Sequence, residues 1–62
     1  MDGYFVVELV GGTVLDFDKK CTNVNYSDKE YCVFKHIYES GEECLAIVPH
    51  RNIFTIIKMV EE

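Results

Sequence analysis

Apolar residues in this chain fall in short blocks of strand length, each closed by glycine or a polar cluster. The first block, Tyr4-Phe5-Val6-Val7-Glu8-Leu9-Val10, is rich in β-branched and aromatic residues and reads as a strand. Gly11-Gly12 and Thr13-Val14-Leu15-Asp16-Phe17-Asp18 follow, a hairpin pattern. A two-residue loop would set Val7 across from Asp16 and mix apolar with charged side chains on both faces. A three-residue loop, Gly11-Gly12-Thr13, pairs Val10 with Val14 and Glu8 with Asp16. It gathers Phe5, Val7, Leu9, Leu15 and Phe17 on one face. Burial of a clean face fixes register, so this loop is expected, with two acids opposed in water.

Lys19-Lys20 is a polar break. Cys21 to Tyr26 alternates weakly, with Val24 and Tyr26 on one side, and reads as a short edge or a bent continuation of the second strand. Glu30 to Glu39 supports two readings. Ser27-Asp28-Lys29-Glu30 fits a helix capping box and Gly41 a helix end. Yet Tyr31-Cys32-Val33-Phe34-Lys35-His36-Ile37-Tyr38 holds β-formers almost throughout and no Ala, Leu or Met. A strand paired antiparallel with Cys44 to Val48 is expected.

Cys44-Leu45-Ala46-Ile47-Val48 has no polar face. Strict alternation over Ile53 to Val60 puts Phe54, Ile56 and Val60 on one side and Ile53, Ile57 and Met59 on the other. A strand apolar on both sides must be covered twice. Either the sheet closes into a small barrel, or a second subunit covers the surplus. Between these blocks stands Pro49-His50-Arg51-Asn52, holding the chain's only proline and only arginine. An apolar strand, a Pro-x-x-Asn turn of 3-10 type and a last apolar strand resemble the end of Src-homology-type and Sm-like small barrels, over Leu45 to Ile57. The resemblance implies architecture. In the Src-homology family the corresponding turn lines a peptide groove together with a tryptophan and an N-terminal aromatic motif. This chain has neither, so proline-rich peptide binding does not carry over.

Sixty-two residues make one small domain, residues 1–62, with a thin core. The three cysteines, Cys21, Cys32 and Cys44, have no paired spacing. Free thiols in a reducing cytoplasm are expected, of the host cell if the protein is viral. Neither a signal segment nor a membrane-spanning run is read. A net charge of −5 argues against wrapping duplex nucleic acid. It suits solubility or a basic protein partner.

No cofactor is implied and no enzyme is expected. Cys32, His36, Cys44 and His50 are zinc-ligand types, but residues four apart on a strand sit ~13 Å apart, so no metal is expected. No cysteine has the basic setting that activates a thiol. The remaining candidates are a ligand site and an interface. His50, Arg51 and Asn52 share one exposed corner, where the plainer alternative is a solvated turn. Lys35 could add charge and Tyr38 or Phe54 a stacking ring. Ile53, Ile57, Met59 and Val10 form the candidate interface, where the plainer alternative is that barrel curvature hides them.

The expectation is an all-β, five-stranded antiparallel Src-homology-type barrel or rolled sheet, with a short 3-10 turn before the last strand. Its expected work is non-enzymatic binding, as a homo-oligomer that sequesters a small anionic nucleotide-type signal. In size and style the chain resembles small phage proteins that modulate their hosts and counter defence. One alternative is direct blockade of a host protein through an apolar surface or through Asp16, Asp18, Glu42, Glu43, Glu61 and Glu62. Another is a structural subunit of a larger assembly.

Overall fold

The computed structural model describes residues 3–60. Strands β1 (Gly3–Leu9), β2 (Val14–Leu15) and β6 (Ile53–Val60) form one sheet in the order β2-β1-β6. Strands β3 (Asn23–Asn25), β4 (Tyr31–Tyr38) and β5 (Gly41–Pro49) form the other, in chain order. Every pairing is antiparallel. The class is all-β as expected, but the described residues form six strands in two three-stranded sheets rather than five in one. The sheets do not close, because β5 and β6 leave the 3-10 turn His50–Asn52 in different sheets.

Tyr31–Tyr38 is a strand and pairs with β5, from Tyr31 opposite Pro49 to Tyr38 opposite Gly41. The capping signal before it makes real hydrogen bonds with a different result. Asp28 Oδ1 accepts from the N–H groups of Glu30 (2.7 Å) and Tyr31 (3.1 Å), as an N-cap would. The β-branched and aromatic residues that follow then extend instead of coiling.

The first hairpin sits two residues from the expected register. Val7 faces Leu15, and Glu8 faces Val14 rather than Asp16. Leu9 N–H donates to Thr13 O at 2.8 Å, so the loop is Val10-Gly11-Gly12, not Gly11-Gly12-Thr13. Gly11 (φ 104°) and Gly12 (φ 102°) supply the positive dihedrals that this placement needs. The shift also separates the two acids. Because it is an even number of residues, Val7 and Leu15 keep the expected face.

Phe17 does not extend the second strand. Phe17, Asp18 and Lys19 form a left-handed turn with φ of 56°, 53° and 64°. Such residues cost about 1–2 kcal/mol each. Phe17 offsets this by stacking on the buried Phe34 ring at 5.3 Å, and the Asp16 carboxylate accepts from Asp18 N–H at 3.1 Å. The core is Val7, Cys21, Cys32, Phe34 and Val48, flanked by Phe5, Leu9, Val24 and Ala46 among others. Phe5 N–H to Cys21 O (2.8 Å) and Thr22 N–H to Lys35 O (3.0 Å) tie the two sheets together.

A bulge in β6 overturns strict alternation there. Glu8 pairs with Thr55 and Leu9 with Ile53, leaving Phe54 as the extra residue. Ile53 and Ile56 therefore both pack against the core, and Phe54 is 70% exposed. The candidate interface residue Ile53 is thus an inward residue. Ile57, Met59 and Val10 are exposed.

Candidate functional site

The corner at His50–Asn52 is pinned from two sides by loops that flank the two sheets. Pro49 (φ −58°) ends β5 and starts the 3-10 turn, which Ile53 N–H closes by donating to His50 O. His50 N–H donates to Glu30 O at 2.9 Å, and its ring Nε2 lies 2.7 Å from Asp28 O. A carbonyl only accepts, so Nε2 carries the proton. On the other side, Val10 N–H donates to Asn52 O at 2.8 Å, docking the first hairpin loop against the turn. Arg51 is left exposed at the centre of this clamp.

Beside the corner, a cleft of about 520 Å³ opens between the sheets. Phe5, Ile53 and Ile56 line it from the β1–β6 sheet, and Val24, Tyr26 and Cys32 from the other, with His50 at the end nearest the corner. It is an apolar slot with an imidazole and a phenol among its walls. Tyr26 is 69% exposed and stands at the mouth.

The electrostatics are simple. Burial, and then the neighbouring Cys21, push the Cys32 thiol above its ordinary range, so the cleft holds a neutral thiol. Burial likewise raises Cys21, against the hydrogen bonds of Asn23 and Lys35. The Glu30 and Tyr31 N–H groups, and then the charge of His50, hold the Asp28 carboxyl below its usual value. Cys21, Cys32 and Cys44 are all unpaired, and Cys44 is exposed.

The structure brings together only part of the set marked out by sequence. His50, Arg51 and Asn52 share the corner, with the His50 imidazole engaged by Asp28. Lys35 is four residues along β4 from Tyr31, the strand's corner end, so ~13 Å away. Its ammonium lies 2.7 Å from Glu42. Tyr38 is at the far end of β4, where it donates to Glu43 at 2.7 Å and meets the His36 ring edge-on. That hydrogen bond to Glu43 raises the Tyr38 phenol above its ordinary value. Phe54 points away from the core.

The zinc-ligand types are equally scattered. Cys32 is in the core, His36 Nδ1 binds Lys20 O, Cys44 is exposed and His50 is at the corner. Among the described residues no three His, Cys, Asp or Glu side chains converge. No helix among them is long and apolar enough to cross a membrane. Glu61 and Glu62, part of the acidic surface considered above, lie outside the described residues.

Sequence reasoning missed Phe5, Val24, Tyr26, Cys32 and Ile56 as cleft residues. One signal for part of it existed: Ile53 and Ile56 are three apart in a β-rich run, a spacing that shares a strand face only through a bulge. No family model, curated protein or solved structure matches this chain.

Proposed function

We propose that this protein is a non-enzymatic binding module, working as a homo-oligomer, that holds a small ligand of nucleotide type. The ring enters the cleft beside Phe5 and Tyr26, and the anionic group meets Arg51. One observation carries the reading. His50 lines the cleft, and the next residue is the only arginine of a chain whose net charge is −5. A cleft of about 520 Å³ falls within the range of small-molecule sites. Aromatic walls stack planar rings, and a guanidinium fork suits phosphate oxygens. A neutral thiol and an imidazole tied to a carbonyl favour holding a ligand over transforming it. The role we infer is sequestration of such a signal in a host cytoplasm, as in phage counter-defence.

The architecture we infer is a Src-homology-type barrel left open between its last two strands. Pairing of β1 with β6, the β3-β4-β5 meander and the 3-10 turn before β6 support it. The interface we infer uses the outward residues of β6. Ile57 faces Val6 and Met59 faces Tyr4 across the β1–β6 pair.

Titration with adenosine monophosphate, followed by NMR, tests the site, with inorganic phosphate as the ringless comparison. The monophosphate should shift the signals of Phe5, Tyr26 and Ile56. Arg51→Ala should weaken binding about tenfold, the loss of roughly one charged hydrogen-bond pair. If neither compound binds, or if Arg51→Ala binds equally well, the ligand reading is wrong. Blockade of a partner protein through the exposed apolar face then becomes the better account.

A further inference from the structure

Backbone polarity marks β6 as a strand with a partner still to be added. Phe5 N–H donates to Cys21 O, so it points away from β6. Phe5 faces Lys58, which makes that a non-hydrogen-bonded pair. The N–H and C=O of Lys58 therefore point out of the sheet on the free side of β6. By alternation, so do those of Ile56 and Val60. Val10 N–H, which reaches Asn52 O on the opposite side of β1, fits the same alternation.

The other sheet edges are blunted. Strands β2 and β3 hold two and three residues. Strand β5 carries Glu42 and Glu43 just after its first residue, has a bulge opposite Phe34 and Lys35, and ends in Pro49. Short length, charge, bulges and proline are the devices that keep an edge unpaired. From Thr55 to Met59, β6 has neither bulge nor proline. Its one charge, Lys58, lies back over the Phe5 ring at 4.6 Å.

We propose that β6 pairs antiparallel with β6 of a second copy, with Ile57 facing its own counterpart across a two-fold axis. This rests on the homo-oligomer reading above and specifies its geometry. The register follows from the sequence of the edge. With Ile57 at the centre, Ile56 exchanges hydrogen bonds with Lys58 of the other copy, and Thr55 faces Met59. A register centred on Lys58 would oppose two ammonium groups, and one centred on Ile56 would run into the bulge at Phe54. Of these three, the Ile57 register keeps the straight segment from Thr55 to Met59 intact without opposing like charges. It joins the two β2-β1-β6 sheets into one of six strands. Along its outer face Val6, Ile57 and their two counterparts form a continuous apolar row.

Two variants at Ile57 and one at Lys58 test this by sedimentation and circular dichroism. Ile57 is 44% exposed, so a charge there spares the core. Ile57→Asp and Ile57→Lys should each be monomeric, their association weakened by about a hundredfold or more. Mixed together they should reassociate, because opposite charges then meet at the axis. Lys58→Pro should fold and be monomeric, since the N–H it removes points outward and the side chain it removes is an exposed ammonium over the Phe5 ring. A wild type that is monomeric at micromolar concentration overturns this pairing and the homo-oligomer reading together. If the wild type is oligomeric, either a Lys58→Pro variant that still associates or Ile57 charge variants that do not rescue each other overturns the pairing alone.

Discussion

Replacing Lys19 by glycine should make this protein more stable, against the usual effect of glycine. Lys19 is exposed, forms no ion pair among the described residues and has φ of 64°. For a residue with a Cβ, that left-handed conformation costs about 1–2 kcal/mol in the folded state. Glycine removes this cost and adds unfolded-state entropy worth about 0.5–1 kcal/mol in the other direction. The turn's hydrogen bonds survive, because Lys19 takes part through its backbone N–H to Asp16 O at 2.9 Å. The net gain should be about 0.5–1 kcal/mol, which in a domain this small raises Tm by roughly 2–8 °C. Urea and thermal unfolding of Lys19→Gly and Lys19→Ala measure it. Alanine keeps the strain and should change little. If Lys19→Gly is destabilised, or if alanine stabilises equally, the left-handed turn is not the source of strain.

Phe34→Ala should remove about 3–5 kcal/mol, against a total of about 3–9 kcal/mol for a domain of this length, and denaturant unfolding should show it largely unfolded. Asp28 has a folded pKa below its ordinary 3.8, so its contribution is full above that value and is lost as pH falls through the lower, folded one. Acid unfolding of Asp28→Asn should lack that component and show a shallower loss of stability below about pH 4. His50→Ala should cost about 1 kcal/mol through the lost bond to Asp28 O, and amide exchange should accelerate at Glu30 and Tyr31.

What the sequence revealed follows from what each pattern encodes. The β-formers of Tyr31–Tyr38 and the lone Pro49 act locally, so that strand and the 3-10 turn were legible. The face of the first hairpin was legible too, because alternation of Phe5, Val7 and Leu9 survives a two-residue slip. The register was not, since Thr13 serves equally as loop or strand. The β6 bulge was masked because Ile53 and Phe54 are both apolar, so strict alternation fits the run as well, and only the three-residue spacing of Ile53 and Ile56 points to it. The bulge alone decides that Ile53 faces the cleft and Phe54 the solvent. The turn at Phe17–Lys19 was unreadable because no glycine marks it. Its conformation is imposed by Phe17 reaching Phe34, a contact made only after both sheets assemble. The cleft was invisible for a related reason: its walls come from strands far apart in sequence.

The cleft and the exposed strand share a physical origin. Two three-stranded sheets from so short a chain fully bury only four apolar side chains among the described residues, Val7, Cys21, Cys32 and Phe34. Apolar area that a larger domain would hide internally is left in the open gap between the sheets, on the outer face of β6 with its unpaired edge, and on the β4–β5 sheet at Ile37 and Ile47. Strand β6 bounds the first two: Ile53 and Ile56 point into the gap, and Ile57 and Met59 point out. No hydrogen bonds between β5 and β6 fix how far the sheets open. That falls to the core, to the backbone bonds of Phe5 with Cys21 and of Thr22 with Lys35, and to the bonds that His50 and Asn52 make at the corner. Anything that fills the gap substitutes for missing core, and stabilises the fold by RT ln(1 + [L]/Kd). At a hundred times Kd this is about 2.7 kcal/mol, a large share of what so small a domain has. Occupancy of the cleft and order at the corner are therefore coupled, and a ligand that enters beside Phe5 should slow amide exchange at His50 as well as at Ile56.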